Sequence, residues 1–193
     1  MGTDTRAVYF RYEDYASFWR RLAVDLIDVT IVLAVCAVAA LMILFIAPTS
    51  SSLNLVLAVS LLIFFLYFVL LKRSRFRTVG YRVGGVRIVG MDGSLPSIFA
   101  LTLRCMFATL GPLNWFLDIG FLSGDPHRQS LRDKFALTYV VKLAAEPVGT
   151  AKLVHQHIEI CGYNFLFREV RPDPDQASPA PKDTNQSVTD EHR

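Results

Sequence analysis

The chain has 193 residues, 52% of them apolar and 19% charged, with a formal net charge of +3. Its mean hydropathy is +0.36, and the apolar residues fall in blocks with the charges between them. That distribution excludes a soluble globule and fits a small α-helical membrane protein.

Residues 1–17 are polar with scattered aromatics and are expected to lie along the membrane surface as a cytoplasmic N-terminal segment. Tyr15, Phe18 and Trp19 precede the first apolar block as interface anchors. That block, 22–47, opens on Asp25 and Asp28 and then runs from 29 to 47 with Thr30 as its one polar residue. At ~1.5 Å per residue the uninterrupted part gives roughly 28 Å of helix, enough to cross a bilayer core. A second block, 53–71, is softened only by Asn54, Ser60 and Tyr67, and the uncharged link 48–52 makes the two a tight hairpin. A cleaved signal peptide is the competing reading of the first block. The apolar region is too long for one, two carboxylates open it, and a second span follows directly.

Arg6, Arg11, Arg20 and Arg21 precede the hairpin, and Lys72, Arg73, Arg75, Arg77, Arg82 and Arg87 follow it, while the link carries no Lys or Arg. The positive-inside rule then puts both termini in the cytoplasm. The cluster 72–77 is expected to meet anionic lipid head groups, at about 1 kcal/mol per residue near the surface. A nucleic-acid surface would need interleaved aromatics, and only Phe76 is there.

Residues 86–89 read as a strand, Asp92-Gly93 as a turn, and 137–142 as a second strand. Between them lies a third apolar segment, 95–122, interrupted at Gly111-Pro112, where proline breaks a helix. A full crossing would put His127, Arg128, Arg132, Lys134 and Lys142 outside, against the charge rule. The expected form is therefore a re-entrant or interfacial helical hairpin with arms 96–110 and 113–122. These arms, at ~22 Å and ~15 Å, are too short to span alone. The fold class is thus two transmembrane helices, an apolar helical hairpin and a short cytoplasmic strand pair, together a membrane domain over 18–142. Residues 143–170 are expected to add a small cytoplasmic extension, with a β-hairpin turning near 161–164. The proline-rich tail 171–193 is expected to be disordered.

Cys36, Cys105 and Cys161 are far apart in sequence and read as small apolar fillers in a reducing compartment. His155, His157 and Cys161 lack a fourth metal ligand, so solvated histidines are expected and no metal or cofactor is implied. No nucleophile–base pair or phosphate loop is evident, which points away from an enzyme.

The charges that remain are Arg21, Asp25, Asp28, Arg104, Asp118 and Asp133. Positions 21, 25 and 28 fall within about 60° of one another on a helix, so they form one stripe. Arg21 and Asp25 are spaced for an ion pair. Asp28 needs a partner from another segment, and Arg104, mid-way along the apolar arm, is the expected one. Asp133, between Arg132 and Lys134, reads as a solvated or interface carboxylate or as a cap on the return into the strand, and Asp118 lies in the second arm.

At these residues the chain resembles the RDD family of small membrane proteins. The opening motif is similar at residues 18–28, with Arg21 and Asp28 as the family's Arg and first Asp. The middle motif matches at Thr78, Gly80, Gly85, Arg87, Val89, Asp92 and Gly93. Arg104 matches an arginine of the following helix, and Asp133, Lys134, Ala136, Thr138, Val140 and Val141 match the closing motif. Asp133 takes the place of the second Asp, with Asp118 as the fallback. Tyr81 stands for a usual Lys, Val24 for an Ala and Leu137 for a Gly, while Asp25 is additional. The resemblance implies a multi-pass protein of a bacterial inner (plasma) membrane. Some members are linked to cation/proton antiport, and others resemble a domain that serves as a membrane assembly partner. Two expectations follow. One is a transport-related role for Asp28 within a homo-oligomer, since two helices cannot enclose a pore. The other is a non-catalytic scaffold or accessory subunit that docks a membrane-protein partner.

Overall fold

A computed structural model describes residues 6–46, 48–74, 76–108, 110–160 and 163–171. Two long apolar helices dominate it. Helix α1 (Phe18–Ile46) and helix α2 (Ser50–Phe65), which continues as a π-helical turn (Leu66–Leu71), pack against each other. The turn between them is fixed by a capping box in which the Thr49 N–H donates to Ser52 Oγ at 3.0 Å. Both helices have the length and composition to cross a bilayer. Leu33, Leu41, Phe45, Leu57 and Leu61 face outward. The buried residues of α1 are Arg21, Val24, Asp25, Asp28 and Val32, all near its first turns. Apolar side chains outside and charged ones inside invert the pattern of a soluble helix and suit a lipid solvent.

Beyond the hairpin, helix α3 (Val79–Val83) leads into strand β2 (Val86–Gly90). Helices α4 (Ile98–Ala108), α5 (Pro112–Gly124) and α6 (Leu131–Ala136) follow, then strand β3 (Thr138–Lys142). The break between α4 and α5 is at Gly111, whose φ of +58° suits glycine, and Pro112 opens α5 where its missing N–H costs nothing. β2 and β3 pair antiparallel, from Val86 with Lys142 to Gly90 with Thr138. A chain that leaves β2 at Gly90 and returns to pair with it at Thr138 has folded back between the two. α4 packs on α6 and the end of α2, while α5 packs on α1 and α6.

α6 ends at Leu137, whose φ of +53° is left-handed. A side chain there costs about 1–2 kcal/mol, and Leu137 offsets it by packing against the cluster around Met91 and Tyr139.

The N-terminal segment departs from expectation. Arg6–Tyr9 is no isolated tail but forms strand β1, paired with β4 (Gly149–Ile160), which pairs in turn with β5 (Tyr163–Arg171). The sheet order is β1-β4-β5. The reason is apolar burial, since Ala7, Phe10, Tyr15, Met91, Tyr139, Ala151 and Val170 share one core. Residues 143–170 are therefore not an appended extension but part of the same body as β2 and β3. The first span also begins earlier than 22, at Phe18, so Arg21, Asp25 and Asp28 all lie inside the helix.

His127 pins this body together. Its Nε2 lies 2.8 Å from the Val170 carbonyl, which can only accept, so the proton sits on Nε2. Nδ1 then accepts from the Tyr15 hydroxyl at 3.0 Å, and that hydroxyl accepts the Phe10 N–H at 3.1 Å. Burial pushes the Tyr15 hydroxyl up to about 12, so it remains a donor. His155 and His157 are exposed on β4, and Cys161 lies outside the described residues. So do residues 172–193, on which most of the disorder expectation falls.

Ala7 is fully buried, and Ala7→Asp puts an unpaired carboxylate into the β1 core, at a cost of several kcal/mol. We expect amide exchange at residues 149–152 of β4 to accelerate at least roughly tenfold by mass spectrometry, with α1 unchanged. Unaltered exchange in β4 would show that β1 does not hold the sheet.

Candidate functional site

The charged end of the hairpin meets α3, α4, α5 and α6 in a belt of buried polar side chains. Its centre is Asp133, fully buried at the third position of α6. A capping box sets its orientation: Ser130 Oγ accepts the Asp133 N–H, and the carboxylate takes the Ser130 N–H at 3.2 Å. The same carboxylate receives Arg21 Nη1 from α1 on one oxygen and Arg104 Nη1 from α4 on the other. Arg104 Nη1 also reaches Thr138 Oγ1 at 2.7 Å. Arg21 donates further to the Ala16 carbonyl at 3.0 Å and the Arg128 carbonyl at 2.7 Å.

Asp28 is also fully buried, but its donors are neutral. Thr78 Oγ1 donates at 2.6 Å, the Gly80 N–H at 2.7 Å and the Tyr67 hydroxyl at 2.9 Å. The Tyr67 hydroxyl in turn accepts the Val79 N–H at 3.3 Å. Asp28 thus satisfies the first turn of α3 from a different helix, doing in trans what an N-cap side chain does in cis. The π turn carries Tyr67 within this constellation, a common use of such a turn. Only glycine fits at position 80. A Cβ there would stand 2.7 Å from Asp28 Oδ1 and closer still to the Val24 carbonyl.

A third group surrounds Arg132 of α6. Its Nη2 lies 2.7 Å from Asp25 Oδ2 and 3.0 Å from Asp118 Oδ2, joining α1 to α5. Burial works against the guanidinium, but Asp25 and Asp118 outweigh it and raise its pKa above the ordinary arginine value. Lys72 approaches Asp25 Oδ1 at 4.0 Å and stands over the rings of Phe68 and Tyr81, 5.0 and 4.6 Å from their centroids. Lys134 pairs with Asp125. The cations Arg21, Lys72, Arg104, Arg132 and Lys134 equal the carboxylates Asp25, Asp28, Asp118, Asp125 and Asp133 in number, so the belt is neutral as a whole.

Four sequence expectations are corrected. Asp28 and Arg104 do not pair, because α3 presents its amino end to Asp28 while Arg104 is occupied by Asp133 and Thr138. Arg21 and Asp25 do not pair with each other, since neighbouring residues of α6 offer each a partner, Asp133 and Arg132. Asp133 is not solvated: the capping box turns it inward, where it becomes the hub. Lys72, read as part of a lipid-facing cluster, points into the belt. The roles of Thr78, Gly80, Tyr67 and Arg132 were not foreseen, although Thr78 and Gly80 stand in the middle motif.

A cavity of about 310 Å³ opens against the belt. Asp25, Lys72, Arg104, Arg132 and Asn114 line its polar side, and Val29, Phe64, Phe68 and Leu101 its apolar side. Asp28 does not line it. Among the described residues no cluster of three His, Cys, Asp or Glu could hold a metal ion. A family model described as the RDD family matches residues 15–137, while no curated protein and no solved structure matches the chain.

Asp133→Ala leaves two buried guanidiniums without their shared acceptor, so a loss of about 3–5 kcal/mol is expected in thermal unfolding of the detergent-solubilised protein. Arg21→Ala and Asp133→Ala should be strongly non-additive in a double-mutant cycle. Additive losses would remove Asp133 from the centre of the network.

Proposed function

The chain belongs to the RDD family, and on that premise we propose that it is a non-catalytic membrane scaffold. In this reading a bacterial plasma membrane holds the α1–α2 hairpin, and the cytoplasmic strand module docks a partner protein. The observation that carries it is that the carboxylates Asp25, Asp28 and Asp133 each join separate elements, α1 to α6, α1 to α3, and α6 to α1 and α4. Such a network fixes orientation, and breaking one link costs more than the intact pair contributes. The charge distribution supports the disposition: Lys and Arg flank the hairpin on both chain-terminal sides and are absent from 48–52. The fold-back between Gly90 and Thr138 supports α4 and α5 dipping into the inner leaflet without crossing it.

The transport reading rests on Asp28 as an exchangeable carboxylate. Asp28 is enclosed by Thr78, Gly80 and Tyr67 and lies off the cavity, which favours a clamp. Asp28→Asn replaces an acceptor-only group with one that must also donate, against donors already in place. A stability loss of about 2 kcal/mol is expected, with a stoichiometric partner recovered by wild type from mild detergent. A variant that folds normally but loses ion-dependent flux in proteoliposomes would overturn the scaffold reading. In a cysteine-free background, Ser94→Cys and Gly124→Cys are expected to label from the same face of sealed vesicles and Ser51→Cys from the other. Labelling of Ser94→Cys and Gly124→Cys from opposite faces would refute the inner-leaflet hairpin.

A further inference from the structure

We propose that the cavity between α1, the end of α2, α4 and α5 binds the phosphate head group of an anionic phospholipid drawn from the inner leaflet. This rests on the membrane disposition given above, which cysteine labelling tests separately.

The first argument is unused hydrogen-bonding capacity. Asn114 is only 4% exposed and lines the cavity, yet its side chain makes no hydrogen bond among the described residues. An amide that faces a cavity with its hydrogen-bonding capacity unused points to a ligand there. Lys72 Nζ is 4.0 Å from Asp25 Oδ1, beyond hydrogen-bond reach, and its other neighbours are aromatic faces. Arg104 commits Nη1 to Asp133 and Thr138, leaving the rest of its fork without a partner among the described residues. Three donors from α2, α4 and α5 therefore converge on one space.

The second argument is charge. Of the charged residues that line the cavity, Lys72, Arg104 and Arg132 are cations and Asp25 is the one carboxylate. The carboxylates Asp28, Asp118 and Asp133 of the belt do not line it, and Asp28 is held by neutral donors. The wall carboxylate Asp25 is held by Arg132 through Oδ2 at 2.7 Å, so the lining offers an anion more partners than it offers the ammonium of a zwitterionic head group. An anion completes the set.

The third argument is shape and depth. Asp25 and Lys72 mark the charged ends of the two long helices, the level at which lipid phosphates lie. Val29, Phe64, Phe68 and Leu101 continue the cavity wall with apolar surface. About 310 Å³ accepts a phosphate ester and its first methylenes but not two acyl chains, so the tails would run out along α1 and α2.

The test uses the full chain. It has two tryptophans, so Trp19→Phe leaves Trp115, which lines the cavity, as a sole reporter. Detergent-solubilised protein is titrated with short-chain phosphatidylglycerol, short-chain phosphatidylcholine or free glycerol phosphate, reading Trp115 emission and Tm. Saturable shifts are expected with phosphatidylglycerol alone. Lys72→Gln and Asn114→Leu are each expected to weaken binding roughly tenfold. Asn114→Leu breaks no hydrogen bond of the protein and should fold. Equal response to phosphatidylcholine, or unchanged affinity in a folded Asn114→Leu, would overturn the proposal. Saturation by glycerol phosphate at the same concentration would reassign the cavity to a free anion and reject the lipid.

Discussion

Two guanidiniums from different helices share one carboxylate, and the arrangement of the molecule follows from that sharing. Asp133 offers Arg21 and Arg104 one oxygen each, while its own backbone is fixed by the Ser130 cap. Buried charges are costly to desolvate, so the network is not best understood as a source of net stability. Its consequence is geometric: α1, α4 and α6 meet in only one relative placement. Since α6 runs directly into β3, and β3 pairs with β2, the hub also fixes the sheet against the hairpin. The remaining polar groups fill what this placement leaves.

Asp28 illustrates the dependence. With both arginines drawn to Asp133, the carboxylate one turn beyond Asp25 has no cation, and α3 has an unsatisfied amino end. The two needs cancel through Thr78, Gly80 and Tyr67. Burial makes that economy stringent, because Asp28 and Thr78 are fully buried and no water can satisfy a leftover backbone N–H there. The requirement for glycine at 80 follows from the same contact, since the carboxylate lies where a Cβ would be.

The two long helices were legible because hydropathy over a long window is a bulk property that no tertiary contact reverses. The charged stripe at 21, 25 and 28 was legible for a similar reason, as helical periodicity is local. Partner choice was not. It depends on which element faces the stripe, and α6 enters only through a capping box that turns Asp133 inward. A carboxylate flanked by Arg132 and Lys134 reads as solvated in one dimension and becomes the hub in three. β1 was missed because a four-residue strand has too short a pattern to stand out, and its partner β4 lies more than a hundred residues away. Such pairing is decided by the shared core of Ala7, Phe10, Tyr15 and Tyr139, not by propensity.

Two departures from the motif that the sequence resembles, Tyr81 and Asp25, meet in one place. Tyr81 stands where the motif has lysine, and Asp25 is an added carboxylate. Alone, the two would leave the belt more negative by both a lost cation and a gained anion. Lys72 at the end of α2 lays its ammonium over the Tyr81 ring and beside Asp25, and Arg132 takes the other Asp25 oxygen. The Tyr81 ring thus becomes a surface that orients Lys72. Neutrality of the belt as a whole is kept while its positive charge is carried toward the cavity wall.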